Sequence, residues 1–413
     1  MIPGTLWQHL KKRITLYQEE MVTMQRELTA IPALGPQNGG QGEEAKARYL
    51  EKKLKALHPG RSLKVTCPDA RVPSKGRPNL LSIFEGKSRS RRIWILSHMD
   101  IVPPGDRKLW RSDPFQLKVK GRTLFGRGVE DNQHGIVSSY FAVKALQEEK
   151  IQPASSIGLI FVSDEETGSQ KGLEYVLKKK RSLFRPEDLI VVPDAGNREG
   201  TLIEVAEKSL LWLKFTLTGR QCHASRPDLG LNTLRGTARL INALERLSEQ
   251  FDEEDPRFDL PRSTFEPTQK EANVPNVNTI PGQDIFFLDC RILPAYPLTD
   301  VVKKIKSIAQ EVATDTGLHI GLEVVNAVQA PPPTPDKAPV VLALQQAIKA
   351  VYGREARPQG IGGATVAAFF RKEGLPAAVW MTSSETAHQP NESCPLSSLI
   401  KDALVFAHLF CQD

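Results

Sequence analysis

Val162-Ser163-Asp164-Glu165-Glu166-Thr167-Gly168-Ser169 closes an apolar run, Ile157 to Val162, that reads as a buried parallel strand. Two adjacent carboxylates at the mouth of such a strand are costly to place there without a reason. Neighbouring side chains diverge, so one glutamate can hold a cation while the other faces whatever that cation polarises. Metal-assisted hydrolysis requires that division between a ligand and a general base. An acidic turn capping a following helix, Gly168 to Lys180, accounts for the octapeptide equally well, because acids are common at helix N-termini. The rest of the chain has to separate the two readings.

Other strands end in the same way. Arg92 to Ser97 is strand-like and runs into His98-Met99-Asp100, and Leu189 to Pro193 delivers Asp194. In open α/β sheets, ligands bind outside the carboxyl ends of strands. His98 and Asp100 project to the same side of an extended backbone, so the carboxylate can orient the imidazole from behind. Gly126 and Gly128 allow a tight turn before Asp131, which opens a helix from Ile136 to Glu148 and is either its N-cap or a ligand. Acid or histidine thus recurs at four predicted strand ends or strand–helix joints. Oxygen and imidazole donors without thiolates suit zinc, cobalt or manganese.

The 413 residues exceed one ordinary core and suggest two or three domains at roughly 150 residues each. Net charge is +7, from 55 basic and 48 acidic residues. The basic clusters, such as Lys11-Lys12-Arg13 and Lys178 to Arg181, are short and lack aromatic interleaving, which argues against a nucleic-acid partner. Cys67, Cys222, Cys290, Cys394 and Cys411 have neither zinc-ribbon nor redox spacing and read as reduced thiols of a cytoplasmic protein. The segment Met1 to Leu16 has no signal-peptide core, and no apolar run approaches the ~18 residues of a membrane helix.

Leu6 to Leu28 carries apolar residues at helical spacing and predicts one amphipathic helix, followed by a Gly-rich connector and a second helix from Glu43 to Leu57. From about Glu207 the pattern changes. Alternating strands near Leu210 to Leu217, Ile285 to Ile292 and His319 to Val325, with helices between them, predict a β–α–β–β–α–β unit of ferredoxin-like type. Pro331 to Pro335 is a stiff linker back. The expected architecture is α/β: a mixed-sheet catalytic domain with helices on both faces, formed by residues 1–206 and 327–413. It is interrupted at 207–326 by a smaller α+β domain for dimerisation or as a lid. His388 arrives late in the first domain.

Ser97-His-Met-Asp100, Gly126-Arg-Gly with Asp131, Asp164-Glu-Glu166, Asp194, Gly219 with His223-Ala-Ser-Arg-Pro, Asn278-Thr-Ile-Pro281, Asp289-Cys-Arg291 and His388 through Glu392 occur in a telling order. Together they resemble the zinc metallopeptidase family of acetylornithine deacetylase, succinyl-diaminopimelate desuccinylase, aminoacylase-1, carnosinase-type dipeptidases and carboxypeptidase G. The resemblance covers nearly the whole chain. It implies two divalent metal ions about 3.5 Å apart, one held by His98, Asp131 and Asp194, the other by Asp131, Glu166 and His388. It further implies that Asp100 orients His98 and that Glu165 is the general base. By the same resemblance His223 donates to the oxyanion, often across a homodimer, and Asn278 and Arg291 grip the substrate.

Two departures fall where specificity is read. Asn132-Gln133-His134-Gly135 replaces the Met-Lys-Gly-Gly or Asp-Lys-Gly common in the family, and Gly363-Ala364-Thr365-Val366 replaces Gly-Thr-Asp. His134 could touch substrate or cap its helix. The expected activity is hydrolysis of an amide bond in a small peptide or N-acyl amino acid with a free carboxylate. Succinyl-diaminopimelate desuccinylase or acetylornithine deacetylase proper is the alternative, and a silent binding relative a third reading, against which the complete ligand set counts.

Overall fold

The run Ile157 to Val162 belongs to the strand Ser155–Val162, every residue of which is buried. This strand lies parallel to Ser88–His98, which is parallel to Leu189–Asn197, which is parallel to Ala377–Thr382. Parallel neighbours need helical crossovers, so both faces are covered and the middles of the strands, such as Ile93 to Leu96 and Leu189 to Val192, are apolar. Arg61–Pro68 and Gly76–Phe84 extend one side of the sheet antiparallel, and Leu202–Glu207 and Arg357–Ile361 complete eight strands on the other. On one face Trp94, Leu96, Ile160, Val162, Ile190 and Val379 pack with the helices Leu173–Lys180 and Ala367–Lys372. The helix Gln133–Glu148 packs on the strand Ser88–His98 and against Leu396–Phe410. Gly158 lies under Trp94, where a Cβ would come within 1.9 Å of the indole ring.

The structure is a computed structural model that describes residues 4–412. The chain divides into one unit of Met1–Val205, Thr334–Pro358 and Thr365–Asp413, and another of Ala206–Pro333 with Gln359–Ala364. The inserted unit therefore continues past residue 327, because its last strand, His319–Val328, runs beyond that point. It also takes in the Gly360–Gly363 stretch.

In the inserted unit Ser209–Thr218, Thr264–Lys270, Gln283–Ile292 and His319–Val328 form an antiparallel sheet in which Gln283–Ile292 and Ser209–Thr218 are central. Leu240, Leu244, Val301, Ile305 and Ile308, from the helices Thr233–Leu244 and Leu298–Thr316, share one core with Leu213, Phe215 and Phe286 of the sheet. This is the ferredoxin-like order. The edge strand Thr264–Lys270 had no clear sequence signal: it is mostly exposed and contains Pro267, next to a register shift.

Three expectations change. The first helix is two, Gly4–Leu16 and Gln18–Thr29, separated at Tyr17, whose ψ of 5° takes it off the helical path. Arg61–Pro68 is an unexpected strand. The acidic turn does not lead straight into a helix, because Asp164 (φ 66°) and Gly168 (φ 103°) are both left-handed and the helix begins only at Leu173. None of the five cysteines is paired, and among the described residues no helix is long and apolar enough to cross a membrane.

Candidate metal centre

The four central strands share one direction, so their carboxyl ends open on one edge. His98 ends its strand, Asp194 lies within its own, Glu165 and Glu166 follow Val162, and His388 follows Thr382 on the segment after Ala377–Thr382. The acidic turn is held from below. Ser163 donates its N–H to Asn79 Oδ1 at 3.0 Å, and the buried Arg77 guanidinium faces Asp164 Oδ1 at 3.2 Å while bound to Glu43. Neither Arg77 nor Glu43 stood out in the sequence, since each pairs with a residue distant along the chain.

His98 Nδ1 lies 3.0 Å from the main-chain oxygen of Asp100. A carbonyl only accepts, so Nδ1 carries the hydrogen and Nε2 faces Asp131 Oδ1 at 2.8 Å and Asp194 Oδ1 at 3.3 Å. The Asp100 carboxylate, expected to orient His98, stands beside the ring and also holds the acidic turn. Its Oδ1 is 3.6 Å from Nδ1 and also accepts from the Glu165 N–H at 3.1 Å, while Oδ2 accepts from the Glu166 N–H at 3.0 Å. Asp100 thus faces the histidine with both its carbonyl and its carboxylate, and holds the glutamate pair through the carboxylate.

Asp131 faces a different histidine with each oxygen. Oδ2 lies 3.0 Å from His388 Nε2, which is also 3.1 Å from Glu166 Oε2. Three overlapping groups converge: His98 with Asp131 and Asp194; Asp131 with Glu166 and His388; and His98 with Glu165 and Glu166, each with one donor atom per residue within 4.8 Å of the others. The two expected ligand sets are thus neighbours that share Asp131. Asn132, which was not singled out as a site residue, donates from Nδ2 to Asp194 Oδ1 at 2.9 Å and so fixes that carboxylate.

The electrostatics of this cluster call for cations. Burial, followed by the charge of Asp194, pushes the Glu165 carboxyl well above its usual range, and burial together with Asp131 raises Glu166 to about 7. Burial would lower His98, but its bonds to Asp100, Asp131 and Asp194 hold it well above the ordinary histidine value. Hydrogen bonds to Asp131 and Glu166 raise His388 to about 10. Glu166 Oε1 is buried without a hydrogen-bond partner. Four carboxylates around two inward-facing imidazole nitrogens, one oxygen orphaned, fit divalent ions of the borderline kind.

His134 does not join this cluster. It is 1% exposed, with Nε2 2.9 Å from Asp402 Oδ2 and Nδ1 3.5 Å from Cys394 Sγ, so it neither reaches substrate space nor caps its helix. The other expected residues belong to the second unit. His223 pairs with Thr279 in a two-residue ladder, and the Ala224 N–H donates to the Asn278 oxygen at 2.8 Å, so His223 and Asn278 are neighbours. Arg291 is held along its own strand by Asp289, with Nε 2.8 Å from Oδ1, and donates to the Gly362 oxygen at 3.0 Å.

A mixed α/β sheet that gathers this donor set at its strand ends defines a metal-dependent hydrolase, and comparison with known proteins gives the family. The chain belongs to Peptidase family M20/M25/M40, whose profile matches residues 94–412. It is 40% identical to an uncharacterized metallohydrolase of Methanococcus maripaludis over 94% of this chain and 98% of that protein. It is 26% identical to a succinyl-diaminopimelate desuccinylase of Cereibacter sphaeroides over 80% of this chain and 85% of the relative. Among solved structures, aminopeptidase PepT from Bacillus cereus superposes with a TM-score of 0.76 at 21% identity, covering 95% of this chain and 98% of that one. The protein is therefore a metal-dependent hydrolase that acts on amide bonds.

Proposed function

We propose that this protein uses two divalent ions to cleave an amide bond in a small substrate bearing a free carboxylate, as an exopeptidase, a dipeptidase or an N-acyl-amino-acid deacylase. The observation that carries the reading is Asp131, whose two oxygens face His98 and His388 in adjoining three-residue clusters. His98, Asp131 and Asp194 would hold one ion, and Asp131, Glu166 and His388 the other, with zinc favoured over cobalt or manganese. Bound there, the ions supply Lewis acidity toward the carbonyl and make a nearby water acidic at neutral pH.

The chain's own residues carry the protons. Glu165 is the general base that accepts the proton of the attacking water and returns it to the leaving amine. Asp100 keeps Glu165 and Glu166 in register by receiving both of their N–H groups. His223 is suited to donate to the oxyanion. Its Nδ1 accepts from the Ser225 N–H at 3.1 Å, which leaves the hydrogen on Nε2. Asn278 and Arg291 bind the substrate's polar groups, Arg291 in exchange for part of its hold on Asp289. We place His223 in a homodimer as a donor to the partner's site.

A second reading, a succinyl-diaminopimelate desuccinylase or acetylornithine deacetylase proper, draws support from the relatives named succinyl-diaminopimelate desuccinylase. A hydrolysis screen of dipeptides, tripeptides and N-acetyl, N-succinyl and N-formyl amino acids with added zinc, cobalt or manganese, run beside N-succinyl-diaminopimelate and N-acetylornithine, separates the two: turnover confined to either of the last pair favours the second reading. The mechanism is tested by Glu165→Ala, expected to keep metal content and lose at least 100-fold in kcat, roughly the share of a general base. Loss of metal instead would exchange the roles of Glu165 and Glu166. Mixing His223→Ala with Glu165→Ala subunits should restore activity through hybrid dimers. No rescue, with hybrids shown by mass spectrometry, would assign His223 to its own chain.

A further inference from the structure

Asp131 and His388 lie far apart in sequence, and they meet because two buried glutamates cross between their loops in opposite directions. Glu392, 0% exposed, reaches from the His388 loop to the Asp131 loop. It accepts from the N–H groups of Gly128 (2.9 Å), Glu130 (2.9 Å) and Asp131 (3.0 Å) and from Arg127 Nη1 (2.7 Å). Glu130, 1% exposed, reaches the other way. Its Oε1 accepts from Ser383 Oγ (2.7 Å), the Glu385 N–H (3.1 Å) and the Ser384 N–H. Its Oε2 accepts from the Thr386 N–H (2.9 Å) and Thr386 Oγ1 (2.5 Å). Three successive backbone N–H groups, with Glu385 in the left-handed region at φ 60°, make a concave nest for an anion, and the Glu130 carboxylate fills it.

The two glutamates differ in what they hold. Glu392 grips the backbone of Asp131, which both halves of the centre share. Glu130 grips only the segment that leads into His388. The remaining candidate ligands have other supports: His98 and Asp194 ride on sheet strands, and Glu166 hangs from Asp100. The His388 side chain is 56% exposed, so packing does little to place it. Its position depends on its backbone, which takes φ 63°. A buried carboxylate that meets five donors is held rigidly, whereas removing it orphans three backbone N–H groups beside the loop.

We infer that Glu130 is a positioning residue for one half of the metal centre: by filling the Ser383–Thr386 nest it sets His388 against Asp131 and Glu166. Its loss weakens the hold on the ion of that half while the His98–Asp131–Asp194 half keeps its own at unchanged affinity. This rests on the two-ion reading above. Glu130 touches neither substrate nor ion, and nothing in the proposed proton transfers involves it.

The test is zinc titration of the metal-free, full-length protein by calorimetry, with metal content after dialysis and circular dichroism to check the fold. Wild type should bind two ions per chain. Glu130→Ala should bind one with unchanged affinity and the second about 10–100-fold more weakly, the usual range for a partner behind a ligand. His388→Ala should give the same one-ion pattern, and Glu130→Gln, which keeps one acceptor oxygen, should fall between. Glu392→Gln should weaken both ions. Should Glu130→Ala not fold, Ser383→Ala with Thr386→Val removes two donors from the opposite side and should weaken only the second ion.

Two ions at wild-type affinity in Glu130→Ala, or in the double variant if that alone folds, would overturn the inference. So would equal weakening of both ions in a folded Glu130 variant. Wild type that binds fewer than two ions would remove the two-ion reading itself, and the inference with it.

Discussion

Lys46 lies on the helix Glu44–Lys55, fully buried, and its Nζ has no hydrogen-bond partner. Burial pushes its ammonium down to about 8 against the pull of the Asp100, Glu43 and Glu392 carboxylates. An unfolded lysine titrates near 10.4. Between about pH 8 and 10 the unfolded chain therefore holds a proton that the folded chain has released, and stability rises with pH across that window. Below it the charged lysine costs stability. Lys46→Met should raise unfolding stability at pH 7 by about 1–3 kcal/mol and flatten the rise between pH 8 and 10. Urea unfolding at four pH values reads both, and an unchanged slope would assign the titration elsewhere. The helix was legible from its apolar spacing, but the burial of a lysine at position 46 was not, because composition says nothing of a charge faced by Asp100 and Glu392 from distant segments.

The helices Gln133–Glu148 and Leu396–Phe410 are joined by His134 and Asp402. Burial works against a charged His134, yet Cys394 and Asp402 outweigh it and keep the imidazole well above its ordinary pKa. Asp402 also accepts from the Thr382 N–H at 2.8 Å and the Tyr352 hydroxyl at 2.8 Å, so it ties the end of a central strand to both helices. Asp402→Asn should cost about 3–5 kcal/mol, because it leaves one buried partner of an ion pair without the other. Metal stoichiometry should stay at two. Thermal melts with metal analysis check both, and a loss under 1 kcal/mol would mean that His134 is neutral. The helices themselves were readable from periodicity, whereas their link was not, since a histidine after Asp131 looks the same whether it faces the site or a second helix.

For the molecule as a whole, the cluster of Asp131, Glu165, Glu166 and Asp194 stores repulsion that bound cations relieve. Chelation should lower the melting temperature, and zinc should restore it with increasing concentration. The gain is about 2.7 kcal/mol when free zinc stands 100-fold above its Kd. Differential scanning calorimetry over a zinc series measures this. A melting temperature indifferent to chelator and to zinc would count against ion binding at the cluster.

Sequence alone determined the central sheet, because parallel strands buried on both faces must be continuously apolar and cannot hide that pattern. It determined where the acids and histidines stand, at the ends of those strands, since direction of travel puts every carboxyl end on one edge. The ferredoxin-like order was legible too, apart from Thr264–Lys270, whose solvent-facing edge needs no apolar code. Only the tertiary structure decided which atoms hold the centre in place. The Asp100 carbonyl, the Glu165 and Glu166 amides under its carboxylate, and the amides that grip Glu130 and Glu392 are main-chain groups. Every residue type carries them, so no side-chain pattern announces that Glu130 will be met 253 positions later by Ser383. That pairing exists only once the fold has brought two loops together.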